Sequence, residues 1–233
     1  MLPTPDSFLR LSHFIHTETP IYPAAPPVEI AAHRLVCEGG KYNSYAVRMF
    51  NHCGTHVDAP QHVYDEGPAL CEFALEDFMF DRPCLVPIPM EDTGLIGREH
   101  LTAVLTAGGE WDLVIIRTGF GVHREHDPDR YATRNPGLSA DGAHWLVENL
   151  PRLRAVGVDT ISVTAGGSLE EGWRAHRILL NPENRRRLVI EDMWLPDDLP
   201  PLRRVWAIPL IVEGVDSSWC TVIGEAGVAS SPA

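Results

Sequence analysis

The segment from Asn51 to His62 reads Asn-His-Cys-Gly-Thr-His-Val-Asp-Ala-Pro-Gln-His, and no other stretch restricts the fold so tightly. His52, His56, Asp58 and His62 crowd strongly hydrated groups into a short length that Gly54 and Pro60 interrupt. Histidines four apart suit one helix face, as in the zincin pattern. Here no Glu follows the first histidine, and Cys53-Gly54-Thr55 is poor helical filler. The residues just before alternate, with Tyr45, Val47 and Met49 on one side and Ala46, Arg48 and Phe50 on the other. That period predicts a strand over residues 45–51. An irregular segment leaving this strand lets imidazoles and a carboxylate converge from different directions.

The donor types name the chemistry. Imidazole with carboxylate, and no thiolate-rich set, suits Zn, Mn or Fe(II). His52, His56 and Asp58 give three ligands and leave positions open for water, the arrangement of a catalytic rather than a structural site. Cys53 neighbours His52 and points the other way on an extended backbone. The alternative is a polar loop with no ion. A second cluster, His123, His126 and Asp127, falls in the polar stretch 118–138, where nothing rigid frames it. A long stretch of this kind is expected to be a loop that closes over substrate.

The run His52-Cys-Gly-Thr-His56-Val-Asp58-Ala-Pro60-Gln-His62 resembles the H-x-G-T-H-x-D-x-P-x-H signature of the metal-dependent cyclase-like hydrolases, which include bacterial kynurenine formamidases and isatin hydrolases. Further segments agree in order: Leu11-Ser12-His13 with Thr19-Pro20-Ile21-Tyr22-Pro23, Ile115-Ile116-Arg117-Thr118-Gly119-Phe120, Val156 to Ser162, His176 to Leu180, and Val189-Ile190-Glu191. The likeness runs from about Leu11 to Val222. It implies that His52, His56 and Asp58 bind one metal, with Asp58 bridging to a second held by His176 and Glu191. It implies His62 as the proton-transfer residue, in hydrolysis of an amide or lactam by hydroxide drawn from cation-bound water. Cofactor expectations are one or two divalent ions, Zn or Mn. The family also suggests a homodimer or homotetramer. Two departures weigh against kynurenine formamidase proper and leave isatin-type lactams or another cyclic amide open, with kynurenine formamidase and lactone hydrolase as alternatives. Thr164 stands where those enzymes carry Asp, and His176 lies between Ala175 and Arg177 rather than in an Asp-Ser-His-His context. The polar run Asn181 to Arg187 also enlarges the spacing from His176 to Glu191.

A Ser-His-Asp hydrolase lacks support, since no G-x-S-x-G elbow occurs. A non-enzymatic metal-binding module on the same fold remains the third reading. The net charge of −13 argues against nucleic acid or an anionic membrane as partner, and the resemblance implies a small-molecule substrate. Five cysteines at irregular spacings, with no C-x-x-C, argue against a disulfide framework. With no basic region leading into an apolar stretch at the N-terminus, the expected location is the cytoplasm.

Along the chain, strands are expected at 9–15, 28–36, 84–88, 111–117, 153–158, 188–191, 205–212 and 218–223. The continuous apolar run Leu113-Val114-Ile115-Ile116 marks a strand covered on both faces. Helices are expected at 97–107 and at 139–150, the latter capped by Ser139 and stopped by Pro151. A helical turn at 173–180 carries His176, and a short helix or turn is expected within 71–80. Strands outnumber helices, and each of the two longer helices sits between strands. The fold class is therefore mixed α/β, and the resemblance implies a swivelling β/β/α single domain over residues 1–233, with its core at about 9–224.

Overall fold

A computed structural model describes residues 7–183 and 185–227. Its strands are β1 (Phe8–Arg10), β2 (Glu29–Arg34), β3 (Ser44–Arg48), β4 (His56–Asp58), β5 (Met79–Phe80), β6 (Pro83–Pro87), β7 (Leu95–Ile96), β8 (Leu113–Arg117), β9 (Gly137–Leu138), β10 (Ala155–Val158), β11 (Leu188–Glu191), β12 (Leu202–Pro209) and β13 (Ser217–Ala226). Helices are α1 (Arg98–Thr102), α2 (His123–His126), α3 (Pro128–Thr133), α4 (Ala140–Asn149) and α5 (Leu169–Leu179). Nine strands form one sheet in the order β5-β12-β13-β4-β11-β10-β8-β6, with β1 added against β13. The class is mixed α/β, as expected.

The half of the sheet built from β6, β8, β10 and β11 is parallel. Side chains along a strand alternate between faces, so the run at Leu113 to Ile116 is divided. Val114 and Ile116 join Val156, Val158 and Val189 against Leu101 of α1, Leu146 of α4 and Leu179 of α5. Leu113 and Ile115 face the opposite side with Ala155, Leu188 and Ile190, where Phe78, Phe80, Val205 and Val222 cover them. One face is thus closed by helices and the other by the strands that the sheet curls around. The helix α4 starts where sequence placed it: the Ser139 hydroxyl accepts the Gly142 N–H at 3.1 Å.

Two expectations need correction. The segment after Gly54 is not irregular. β4 lies in the sheet interior, wholly buried, antiparallel to both β11 and β13. A strand this short carries no usable periodicity, and the flanking Gly54 and Pro60 end it instead of preventing it. Nor is 118–138 a loop poised over substrate. It folds into a 3-10 turn, α2, α3 and β9, and buries Arg124 and Tyr131. The local signal is Asp127-Pro128: the Asp127 carboxylate accepts the Arg130 N–H at 3.2 Å while Pro128 takes the first helical turn.

The strand expected at 45–51 stops at Arg48, and that expected at 28–36 stops at Arg34. They pair with each other as a two-stranded hairpin outside the main sheet. Its side chains are mostly exposed, including Ile30, Tyr45 and Val47. No helix among the described residues is long and apolar enough to cross a membrane.

Candidate metal centre

β4 supplies the first two groups. His56 and Asp58 are two apart, so they share a face, and Val57 between them enters the core on the other side. The register with β11 sets Glu191 directly opposite His56. Glu191 is the last residue of that strand, so the site opens at the carboxyl ends of the parallel strands, where α/β sheets receive ligands. From the helix-covered side, α5 lays His176 over the cluster, on its buried face with Gly172, Ala175 and Leu179. A Cβ on Gly172 would sit 2.4 Å from Thr164, so the close approach of α5 depends on the missing side chain.

His52 precedes β4 across Gly54, whose φ of 69° lies in the left-handed region. The turn folds His52 back onto Asp58, with His52 Nδ1 3.0 Å from Asp58 Oδ1. His62 follows on the 3-10 turn Pro60–His62, its ring 4.3 Å from that of His52 and 5.4 Å from that of His176 between centroids. All six residues singled out in the sequence, His52, His56, Asp58, His62, His176 and Glu191, therefore meet. His123, His126 and Asp127 do not join them. They belong to α2 and its cap, and no metal-holding group among the described residues includes them.

Each histidine is aimed by its back nitrogen. His56 Nδ1 lies 2.8 Å from the Gly54 carbonyl, and His176 Nδ1 lies 3.0 Å from the Gly172 carbonyl and 3.2 Å from Thr164 Oγ1. A carbonyl only accepts, so both Nδ1 atoms carry the proton and both Nε2 lone pairs face the cluster. Glu191 is held by two donors to Oε1, the Val163 N–H at 2.7 Å and the Ser162 hydroxyl at 3.0 Å. Nearby Asp159 accepts from the Thr118 N–H, the Thr118 hydroxyl and the Gly119 N–H, which ties the end of β8 to that of β10.

The front of the cluster is a different matter. His56 Nε2, His176 Nε2 and both Asp58 carboxylate oxygens are buried with no hydrogen bond. They approach one another without bonding: His56 Nε2 is 3.5 Å from Asp58 Oδ1, and His176 Nε2 is 4.0 Å from Asp58 Oδ2 and 3.2 Å from Glu191 Oε1. With His52 Nδ1 at 3.0 Å as its near partner, a buried Asp58 carboxylate so sparsely paired still costs on the order of several kcal/mol. Donors of His52, His56 and Asp58 lie within 4.8 Å of one another, as do those of Asp58, His62 and His176. Converging, unbonded imidazole and carboxylate atoms fit a divalent cation of the Zn or Mn type.

Charge tells the same story. Burial pushes His52 down, but the Asp58 and Asp216 carboxylates outweigh it and lift the imidazole to about 10. Burial likewise opposes charge on His56 and His176, and Asp58 and Glu191 again win, raising both. Burial favours the neutral acid of Glu191, yet the adjacent His176 and His56 hold it at about 2. In the absence of a cation, protons on imidazoles supply the positive charge that the buried carboxylates require.

One residue at the site carried no signal in the sequence. Asp216, in the turn before β13, reaches both His52 and His62, and Asn51 donates to its other oxygen at 2.8 Å. An isolated acid more than 150 residues away from its partners has no spacing to betray it.

Beside the cluster opens a cavity of about 420 Å³, within the range of small-molecule sites. Tyr22, Phe50, Ile161, Leu169 and Trp173 form its apolar walls, and His52, His62, His176 and Glu191 its polar floor. Trp173 stacks on His62 at 6.3 Å and 15° between planes. Of the other aromatic side chains, Phe73 and Phe120 are core, and Trp194 lines a separate cavity.

Comparison with known proteins places the chain among relatives. The cyclase-like protein 3 of Oryza sativa subsp. japonica is 30% identical over 191 residues, which are 77% of this chain and 64% of that protein. The chain thus spans just under two-thirds of its rice relative. The kynurenine formamidase of Bordetella petrii is 26% identical over 204 residues, 88% of this chain and 90% of that protein. Among solved structures, isatin hydrolase A from Labrenzia aggregata superposes with a TM-score of 0.78 at 19% identity, covering 94% of this chain and 93% of that one, and so shares the fold. The Cyclase family model matches residues 9–165, which span the metal-ligand candidates of β4, and the chain belongs to that family.

Proposed function

We propose that this protein is a divalent-metal-dependent hydrolase that opens an amide or lactam C–N bond in a small molecule. The observation that carries the reading is the set of four buried donor atoms, on His56, Asp58 and His176, that converge without a hydrogen bond. The name of the Bordetella petrii relative, a formamidase, supports C–N cleavage.

In this reading His52, His56 and Asp58 would hold one ion, and Asp58, His176 and Glu191 would hold a second. Zn and Mn both suit the donor set. When bound, the cation supplies Lewis acidity, lowering the pKa of a water toward ~7 and polarising a carbonyl. His62 then handles the proton. It stands at the rim between cavity and cluster, part-exposed, where a water and a leaving nitrogen are both within reach. It accepts the proton of the attacking water and returns it to the nitrogen, without which the C–N bond does not break. Trp173 and Phe50 line the cavity beside the cluster and offer apolar surface to a substrate ring.

The apolar walls suit a cyclic or aromatic amide. Thr164 and the Ala175-His176-Arg177 context leave the isatin type of lactam, another cyclic amide and a lactone ahead of N-formylkynurenine. The exposed hairpin of β2 and β3, with Ile30, Tyr45 and Val47, supports a homodimer or homotetramer. Five free cysteines support a reducing cytoplasm. The test is turnover of isatin, N-formylkynurenine and simple lactones by Zn- and Mn-loaded protein, with and without chelator. Chelator-sensitive opening of a cyclic amide is expected; turnover that survives complete metal removal would overturn the reading.

A further inference from the structure

We propose that Asp216 is a positioning residue that sets the tautomers of His52 and His62 together, and so decides which nitrogen of His62 meets the substrate. The inference rests on the hydrolase reading above: donors of His52, His62 and Asp216 also lie within 4.8 Å of one another, and that reading leaves Asp216 out of its ligand set.

One oxygen does both tasks. Asp216 Oδ2 lies 2.9 Å from His52 Nε2 and 2.8 Å from His62 Nδ1. A carboxylate oxygen only accepts, so each imidazole presents an N–H to it. For His52 that leaves Nδ1, which already faces Asp58 Oδ1 at 3.0 Å, as the nitrogen that offers a lone pair to a cation. For His62 it leaves Nε2 as the basic nitrogen. The other carboxylate oxygen, Oδ1, is fixed by the Asn51 side-chain amide at 2.8 Å, and that amide also reaches the Ser217 carbonyl at 3.4 Å. Asp216 therefore does not rotate freely. Asn51 adjoins His52 in the chain, and Ser217 adjoins Asp216, so the brace is built from the same two segments it aligns. Carboxylates behind ligating histidines are a general device for fixing ring orientation and basicity. Here the same carboxylate also serves the proton-transfer histidine, which couples metal binding to base competence.

The decisive variant is Asp216→Asn, which preserves shape. The Asn51 amide draws the new carbonyl oxygen to the Oδ1 position, and the new NH₂ then faces the two imidazoles. His62 must accept at Nδ1 and carry its proton on Nε2, where it is no longer a base. Turnover is expected to fall about 10²- to 10⁴-fold in kcat, with KM within about threefold. Zn affinity, read by calorimetry, falls about 10- to 100-fold. In ¹⁵N–¹H correlation spectra of the Zn-loaded protein, His62 moves from Nδ1–H to Nε2–H. Retention of native kcat overturns the inference, as does a fall in kcat with the His62 tautomer unchanged, which marks a merely structural role. Should the variant not fold, the spectrum of the Zn-loaded native protein decides: Nδ1–H on His62 and Nε2–H on His52 uphold the inference, and any other pattern ends it. These spectra and the Zn titration need no substrate. A native protein that opens no amide would refute the hydrolase reading while leaving the role of Asp216 measurable.

Discussion

Glu191 and Asp192 are joined by one peptide bond and serve opposite kinds of polar centre. Glu191 faces a cluster in which His56 Nε2, His176 Nε2 and both Asp58 oxygens lack hydrogen bonds. Asp192 faces the other way, and its own carboxylate is fully bonded. Its carboxylate takes Arg124 Nε at 2.8 Å and a terminal Arg124 nitrogen at 2.9 Å, and the Tyr131 hydroxyl donates at 2.5 Å. Its carbonyl accepts the Thr55 hydroxyl. Both centres are buried and both are charged. The difference lies in satisfaction: a structural network uses up its donors and acceptors, whereas a centre meant for a ligand leaves lone pairs aimed at a common point. Asp192 even accepts a left-handed backbone, φ 52°, to make the turn between the two.

Four experiments press on that contrast. The largest effect belongs to His56→Ala. Activity and bound metal are both expected to vanish, by assay and by elemental analysis of the folded variant. Metal retained at the native level would take His56 out of the ligand set. His62→Ala comes next. It should lower kcat about 10²- to 10⁴-fold and leave the ions in place; metal lost along with the rate would make His62 a ligand instead. On the other side of the strand the pattern reverses. Arg124→Met strands the Asp192 carboxylate, and urea titration should show a loss of about 3–5 kcal/mol with metal content of the folded fraction unchanged.

The smallest effect is a pH dependence at His13, which packs 3.9 Å from Asp192. Burial drives its imidazole down to about 4, against the pull of Asp192 and Glu125 and with the push of Arg124 and Arg10. The folded state thus prefers the neutral ring, and the unfolded state takes up a proton below about 6.5. Its stabilising share is complete above that value and is lost as pH falls toward 4. Between pH 7 and pH 5 the native protein should lose about 2 kcal/mol more than His13→Gln. Equal losses would remove His13 from the account.

The candidate metal centre was legible because its chemistry is concentrated. The histidines and acid of Asn51 to His62 declare themselves by type and density, whatever backbone carries them. The backbone itself was misjudged, since a strand as short as His56–Asp58 is defined by partners from β11 and β13 and not by its own pattern. The buried run at Leu113 to Ile116 was legible because both faces of a parallel sheet demand apolar residues. The region 118–138 was not, because its glycines and prolines signal turns whether those turns lie on the surface or cap short helices. Asp216 was beyond reach for the same reason as the register of β4: both depend on contacts between segments far apart in the chain.

The adjacency of Glu191 and Asp192 also bears on how this chain tolerates change. A single codon inserted between Leu188 and Asp192 would carry Glu191 round to Arg124 and set Ile190 at the cluster, and a single codon deleted would carry Asp192 into the cluster and turn Glu191 into the core. The core valine and isoleucine would trade sides in the same step. Substitutions can be absorbed one at a time there, but length cannot, so this short segment should be among the most intolerant of insertions and deletions in any scan of the gene.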